Sequence, residues 1–282
     1  MNILTFDIEE WFHILDNEST KSENQWENFE SRLEHNMDKI FKLLDDNNQD
    51  ATFFCLGWVA RKHPHIIKKI NMLGYEVATH SDMHQLAYEF NRNQFNQDLE
   101  RSIKSIEDIT GEKITSYRAP GFSIKEENLW VFDELIKYGI EKDCSVFPAK
   151  RAHGGLEEFS YSKPAYIERE MGKIKEFPIN LHNILGKNIV FSGGGYFRLI
   201  PYPLLKHFMK KSDYVMTYLH PRDFDPEQPM IEELNAIRRF KSYFGLKSSL
   251  SKLERLIQDF DFVSLNEANQ MIDWEQSKKI KF

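Results

Sequence analysis

Apolar residues recur along the chain in two alternating rhythms. Short runs of strand type appear at NILTF (2–6), ATFFCLG (51–57), YEVATH (75–80), TSYRAP (115–120), within GIEKDCSVF (139–147), at YVMTYLH (214–220) and at FVSL (262–265). Between them, apolar positions return every three or four residues, the period of a helix with one buried face. Phe29, Leu33, Met37, Ile40, Phe41 and Leu44 predict a helix within 25–46. Ile66, Ile67 and Ile70 predict a second, and Phe95, Leu99, Ile103 and Ile106 a third that Gly111 stops. Further helices are expected over 125–138 and near 202–210, 229–244 and 249–258. Repeated strand-then-helix units without a composition break predict one α/β domain over 1–282 with a mostly parallel sheet. The rhythm lapses from about 149 to 200, where Gly, Ser and Tyr predict an insertion of short hairpins and long loops.

The placement of polar residues separates a barrel from an open sheet. Asp7 and Glu9, His80, Arg118, Asp143 and His220 all fall at the C-terminal ends of predicted strands. In a (β/α) barrel those ends form one rim, where active sites sit. An open doubly wound sheet often carries a Gly-rich phosphate loop instead. SGGGYF (192–197) is not expected to follow a strand and open a helix as such a loop must.

Composition adds bounds. Hydrophobic residues make up 41% of 282, enough for a sizeable core, and 22 Phe suit a large one. The net charge is −7 and no basic block stands out, which argues against a nucleic-acid partner. Cys55 and Cys144 lie far apart in apolar surroundings and read as two buried thiols rather than a disulfide. MNILTF lacks the basic start and apolar run of a secretory signal. No stretch approaches the roughly 20 apolar residues of a membrane span. The expectation is a soluble, cytoplasmic protein of unspecified oligomeric state.

Two stretches carry candidate chemistry. ATHSDMH (78–84) sets His80 and His84 four apart. On a helical turn such a pair faces one way and can share a metal ion. With ten histidines in the chain, one such spacing is weak by itself, and a polar loop after a strand end is the competing reading. TFDIEEW (5–11) offers carboxylates: alternation on a strand puts Asp7 and Glu9 on one face, Phe6 and Ile8 on the other. Like charges side by side raise each other's pKa unless a cation relieves them. A solvated acidic loop is the alternative there.

TFDIEEW, HSDMH, RAPGF (118–122), DCSVFP (143–148) and YLHP (218–221) occur in this order. Together they resemble the five motifs of the polysaccharide deacetylase family, carbohydrate esterase family four, which includes chitin and peptidoglycan deacetylases. The resemblance runs from residue 3 to about 225. FDIEEWFH and HPRDFDPEQP look like a subgroup associated with exopolysaccharide gene clusters. The resemblance implies a distorted (β/α)7 barrel. It also implies a metal-dependent hydrolase of linear amides that removes N-acetyl groups from an amino-sugar glycan, oligosaccharide or precursor.

Carried over by motif, His80 and His84 would be metal ligands with a carboxylate completing the set, and zinc the default ion. Asp7 would be the general base, held by Arg118. His220 would be the general acid, oriented by Asp143. A backbone N–H at Gly121 or Phe122 would help hold the developing oxyanion. The common first motif has two adjacent aspartates; here position 8 is Ile, so the ligand role passes to Glu9, which shares a strand face with Asp7. Trp11, Tyr196 and Phe197 are candidates for stacking on sugar rings, and His182 reads as structural. Three other readings compete: a cyclic amide or imide hydrolase of allantoinase type on the same fold, a carbohydrate-binding relative that has lost catalysis, and a two-carboxylate glycosidase, which would leave the histidine pair idle.

Overall fold

The computed structural model describes residues 1–15, 17–151, 153–159, 161–184, 186–231 and 233–282. Parallel strands form its centre: β1 (Asn2–Ile3), β2 (Thr5–Ile8), β3 (Thr52–Cys55), β4 (Glu76–Thr79), β5 (Ser116–Tyr117) and β6 (Lys142–Asp143). β7 (Ala165–Arg169) and β8 (Gly172–Glu176) form an antiparallel hairpin, and β8 runs parallel to β6. β9 (His182–Ile184) pairs with β10 (Lys187–Ile189) in a separate small hairpin. β11 (Val215–Met216) is parallel to β1, and β12 (Lys279–Lys281) adds to the outer side of β7. Every residue of β2 and β3 is buried, as expected of strands covered on both faces.

Sequential pairing of β2, β3, β4, β5, β6 and β8 curves most of the way round a barrel. On the other side, bridges from Ile3 to Val263, Phe6 to Leu219 and Tyr218 to Gly193 continue it. Between β8 and β11 side chains replace a strand ladder: Asn180 Oδ1 accepts the Met216 N–H at 3.0 Å, and Tyr214 donates to the Pro178 carbonyl at 2.8 Å. The result is the distorted (β/α)7 barrel expected, with one seam closed by loops.

Strand parity divides the core in two. Ile3, Phe54, Ala78, Cys144, Phe177 and Met216 fill the inside of the barrel. Phe6, Ile8, Phe53, Cys55 and Tyr117 face outward onto the helices. Glu76 and Lys142, 3.2 Å apart with Thr52 and Ser116 on Glu76, plug the N-terminal end with polar groups. Both cysteines are buried and free.

The helix Arg92–Thr110 shows how local rules place the site. Asn91 and Gln94 bond reciprocally at 3.0 Å each, a capping box, and Gly111 ends the helix at φ +71°. Phe95, Leu99, Ser102 and Ile106 form its buried stripe. Ser102 packs on Gly57, where an added Cβ would lie 2.7 Å from the Ser102 Cα, so two helices approach as only glycine allows.

Several expectations need correcting. The helix expected over 25–46 is two, Glu23–Trp26 and Leu33–Asp46, with Phe29 between them. A helix Gly57–Lys62 precedes Pro64–Met72 and gave no periodic signal. FVSL contributes one bridge at Val263, then Ser264 caps a helix Leu265–Met271. SGGGYF does open a helix, Gly194–Leu199, directly after the residue that bridges Tyr218. No helix among the described residues is long and apolar enough to cross a membrane.

Candidate active site

The C-terminal ends of β2 and β4 bring the candidates together. Asp7 points inward from β2, and Glu9 follows on the same face. His80 follows β4, and the chain then bends sharply through Ser81 (φ +70°) and His84 (φ +55°). The histidine pair is therefore brought together by a strained bend, not by the helical turn expected from its spacing.

Four clamps hold that bend. Gly57 and Trp58 donate their backbone N–H groups to the Ser81 and Asp82 carbonyls at 3.0 and 3.1 Å. Ser102 donates to the Ser81 carbonyl at 2.9 Å. Asp98 accepts the N–H groups of Asp82 and Met83 at 2.9 and 3.3 Å. Arg61 grips both oxygens of the Asp82 carboxylate. Burial, only partly relieved by those backbone bonds, pushes the Asp98 carboxyl up to about 7.

Glu9, His80 and His84 present ligand atoms that all lie within 4.8 Å of one another, and all three are buried. Glu9 Oε2 sits 2.6 Å from His84 Nε2 yet outside hydrogen-bond geometry. The His80 Nδ1 lies 2.8 Å from the Arg118 carbonyl, so Nδ1 carries the proton and Nε2 keeps its lone pair. Burial pushes His80 down to about 4, which keeps it neutral and able to ligate. Burial alone would raise Glu9, but His84, then His220 and His80, hold it far below the usual carboxylate range. Two imidazoles and one ionised carboxylate around a common point fit a divalent cation.

Asp7 and His220 flank this cluster. His220 Nε2 lies 3.8 Å from Asp7 Oδ2 and 3.9 Å from Glu9 Oε1. Arg118, fully buried, donates to Asp7 Oδ1 at 2.6 Å and to Thr5 Oγ1 at 2.8 Å. Its guanidinium carbon stands 4.1 Å from the centre of the Phe54 ring. Asp7, Glu9, His80, His84, Arg118 and His220 thus share one mouth.

The remaining expected residues fall elsewhere or in part. Asp143 does not reach His220. It pairs in register with Tyr117, which faces outward, so its carboxylate lies on the other side of the sheet. There it accepts from Ser145 N and Oγ at 2.9 and 2.7 Å and faces Glu176. The carboxylate on the His220 ring is Asp223, whose Oδ2 lies 3.0 Å from His220 Nδ1 and also accepts the His220 N–H at 3.0 Å. Arg198 Nε approaches the other Asp223 oxygen at 3.0 Å. Burial opposes a charged His220, but the Asp223 hydrogen bond and the charges of Glu9, Asp223 and Asp7 prevail and raise it to about 9. Sequence reasoning passed over Asp223, although its place three residues after His220, across Pro221, is the spacing of one short helical turn.

Phe122 spends its N–H on the Ala119 carbonyl at 3.0 Å, which leaves Gly121 as the backbone donor candidate of that turn. Trp11 is a core residue: 3% exposed, bonded to the Glu30 carbonyl at 2.9 Å and wedged edge-on against Phe12 and Phe29. Phe197 is likewise buried, whereas Tyr196 is 48% exposed on its short helix. His182 packs 4.7 Å from Phe208, in keeping with a structural role.

A barrel whose C-terminal rim joins a two-histidine, one-carboxylate cluster to a flanking Asp and His defines a candidate amide or ester hydrolase class. The comparisons narrow it. Residues 17–137 match the family described as polysaccharide deacetylase, and 144–270 match a domain of unknown function (DUF3473). The polysaccharide deacetylase match covers 121 of the 282 residues, from 17 to 137. A curated relative, peptidoglycan-N-acetylglucosamine deacetylase of Bacillus cereus, is 28% identical over 97 residues, covering 34% of this chain and 35% of the relative. The match therefore spans about a third of that relative's length. A candidate polysaccharide deacetylase from Mycobacterium smegmatis superposes with a TM-score of 0.67 at 15% identity, covering 100% and 92% of the two chains. A family 4 carbohydrate esterase from Streptomyces lividans, solved with acetate, gives 0.51 at 13% identity, with 99% and 96% covered. Both likenesses are of fold. β8 and β11, from the region of unknown function, stand in the same barrel as β2 to β6.

Proposed function

We propose that the protein removes N-acetyl groups from an amino-sugar glycan or a precursor of one, with a divalent cation, zinc by default, held by Glu9, His80 and His84. The single observation that supports this most is the convergence of those three buried side chains between an Arg-anchored Asp7 and an Asp-oriented His220. When bound, the cation supplies a Lewis acid beside the acetamide carbonyl.

Asp7 takes a proton from the water that adds to the acetyl carbon. Arg118 fixes which oxygen does so, because Oδ1 is committed to the guanidinium and Oδ2 faces His220. The Gly121 N–H is the candidate donor to the developing oxyanion. His220, protonated at neutral pH, gives its proton to the departing nitrogen as the C–N bond breaks. Acetate and a free amine leave, and one proton has passed through each residue. A non-catalytic binder has no use for both a base and an acid, so catalysis is favoured over carbohydrate binding alone.

The test is metal analysis of purified protein, paired with deacetylation assays on N-acetylglucosamine oligomers for the wild type and Asp7→Asn. The variant is expected to keep its metal and lose turnover by about 10²–10⁴-fold. Equal activity in both proteins removes Asp7 from the mechanism, and wild-type protein without metal removes the site.

A further inference from the structure

One polar group beside the cluster has no role so far. His13 is 3% exposed and boxed by aromatic rings: Trp26 at 4.3 Å, Trp58 at 5.0 Å and Phe12 at 5.0 Å between centroids. Its fourth neighbour is His84, stacked at 5.9 Å with 23° between the planes. An imidazole in such a box is costly unless both nitrogens are satisfied. Nδ1 is satisfied, because it accepts the Glu10 N–H at 3.2 Å. Nε2 is buried with no hydrogen-bond partner among the described residues.

The Glu10 bond decides what Nε2 can do. A nitrogen that accepts cannot carry a proton, so the proton of the neutral ring is on Nε2. Nε2 is then a donor and not a metal ligand; as a ligand it would force the proton onto Nδ1, against the Glu10 N–H. A buried donor needs an acceptor. An acceptor in the same cluster is Glu9 Oε2, four residues back in the chain: its charge acts on His13, and it lies 2.6 Å from the ring nitrogen of the stacked His84 without making a hydrogen bond of good geometry. Donor and acceptor are complementary, and neither makes a hydrogen bond among the described residues.

We propose that His13 is a positioning residue for the metal site, its Nε2–H donating to the Glu9 carboxylate and fixing which oxygen of Glu9 is presented to the cation. The inference rests on Glu9, His80 and His84 being the metal cluster. It also gives a physical reason for a glutamate in this position. Its extra methylene adds a rotatable bond, and a fixed donor removes the freedom that bond brings.

Zinc affinity, measured by competition with a chelating indicator, tests this in wild type, His13→Phe, His13→Asn and His13→Gln. Melting of the metal-free proteins reports folding separately. Gln places an amide N–H near the Nε2 position, whereas Asn reaches only the Nδ1 position and Phe supplies neither. Loss of such an outer contact typically weakens metal binding about 10–100-fold. Phe and Asn are expected to show that loss, and Gln to stay within about threefold of wild type. Wild-type affinity in His13→Phe overturns the proposal, as does Gln binding no better than Asn. Should Phe fail to fold, the Asn and Gln pair still decides. A wild type that binds no zinc defeats the metal-site reading itself, a different result from wild type and variants binding alike.

Discussion

Replacing Asp223 by Asn isolates the group that orients the proposed acid. Asp223 accepts two bonds from His220, one from the ring and one from the backbone, both 3.0 Å. Asn can keep the backbone bond through its carbonyl oxygen, so the local fold survives. It cannot supply the negative charge. A hydrogen bond to a charged group contributes about 1.5–3 kcal/mol. At 1.36 kcal/mol per unit, that corresponds to roughly one to two pKa units. His220 should therefore fall from about 9 toward about 7 to 8. Because a general acid must carry its proton, the alkaline limb of kcat/KM should move down by that amount. Metal-free protein gives a second readout. The folded pKa of His220 lies above its ordinary 6.5, so this histidine adds stability that is complete below pH 6.5 and lost as pH rises through about 9. In Asp223→Asn that loss should come at lower pH and be smaller. Asp143→Asn is the control: it disturbs the Ser145 bonds and costs stability, but leaves the alkaline limb in place. The reasoning is refuted if the limb is unmoved in Asp223→Asn, or moves equally in Asp143→Asn.

Other outcomes follow from the same packing. Glu176 is buried beside Asp143, and burial followed by that neighbouring charge drives its pKa well above the usual carboxylate range. The folded state therefore holds a proton that the unfolded state releases above about pH 4.5, and stability falls as pH rises toward the folded pKa. Glu176→Gln, uncharged and able to accept the Val146 N–H at the same oxygen, should flatten that fall in urea melts between pH 6 and 9; an unchanged slope counts against a protonated Glu176. Gly57→Ala should cost about 1–3 kcal/mol, because the new methyl meets the Asp82 carboxylate, which Arg61 holds in place, and the backbone of Ser102. It should also weaken zinc binding, since Gly57 N–H anchors the Ser81 carbonyl; full stability and affinity in the variant would mean the two helices can part freely. Chelation followed by zinc should abolish and restore deacetylation, and turnover that survives chelation excludes the cation.

What could be read from the chain, and what could not, follows from the range of each interaction. Asp7 and Glu9 were legible because strand alternation is a property of five consecutive residues, and the apolar Phe6 and Ile8 mark the opposite face. The barrel was legible because polar residues gathered at the ends of apolar runs. The His80 and His84 pairing was legible, but its cause was not. The bend depends on Ser102, Asp98, Gly57 and Arg61, which lie 14 to 27 residues away and form no pattern with it. Asp143 shows the limit most clearly. Being at a strand end is necessary for reaching the rim but not sufficient, because side chains alternate between barrel and helix layer. Arg118 points in and Tyr117 points out, and Asp143 stands opposite Tyr117. Its side of the sheet is set by inter-strand register, which no local rule fixes. Asp223, by contrast, acts across three residues and was within reach of local rules. A carboxylate one short turn beyond a histidine, with proline starting the turn, is a stronger signal for an oriented imidazole than any acid on a neighbouring strand.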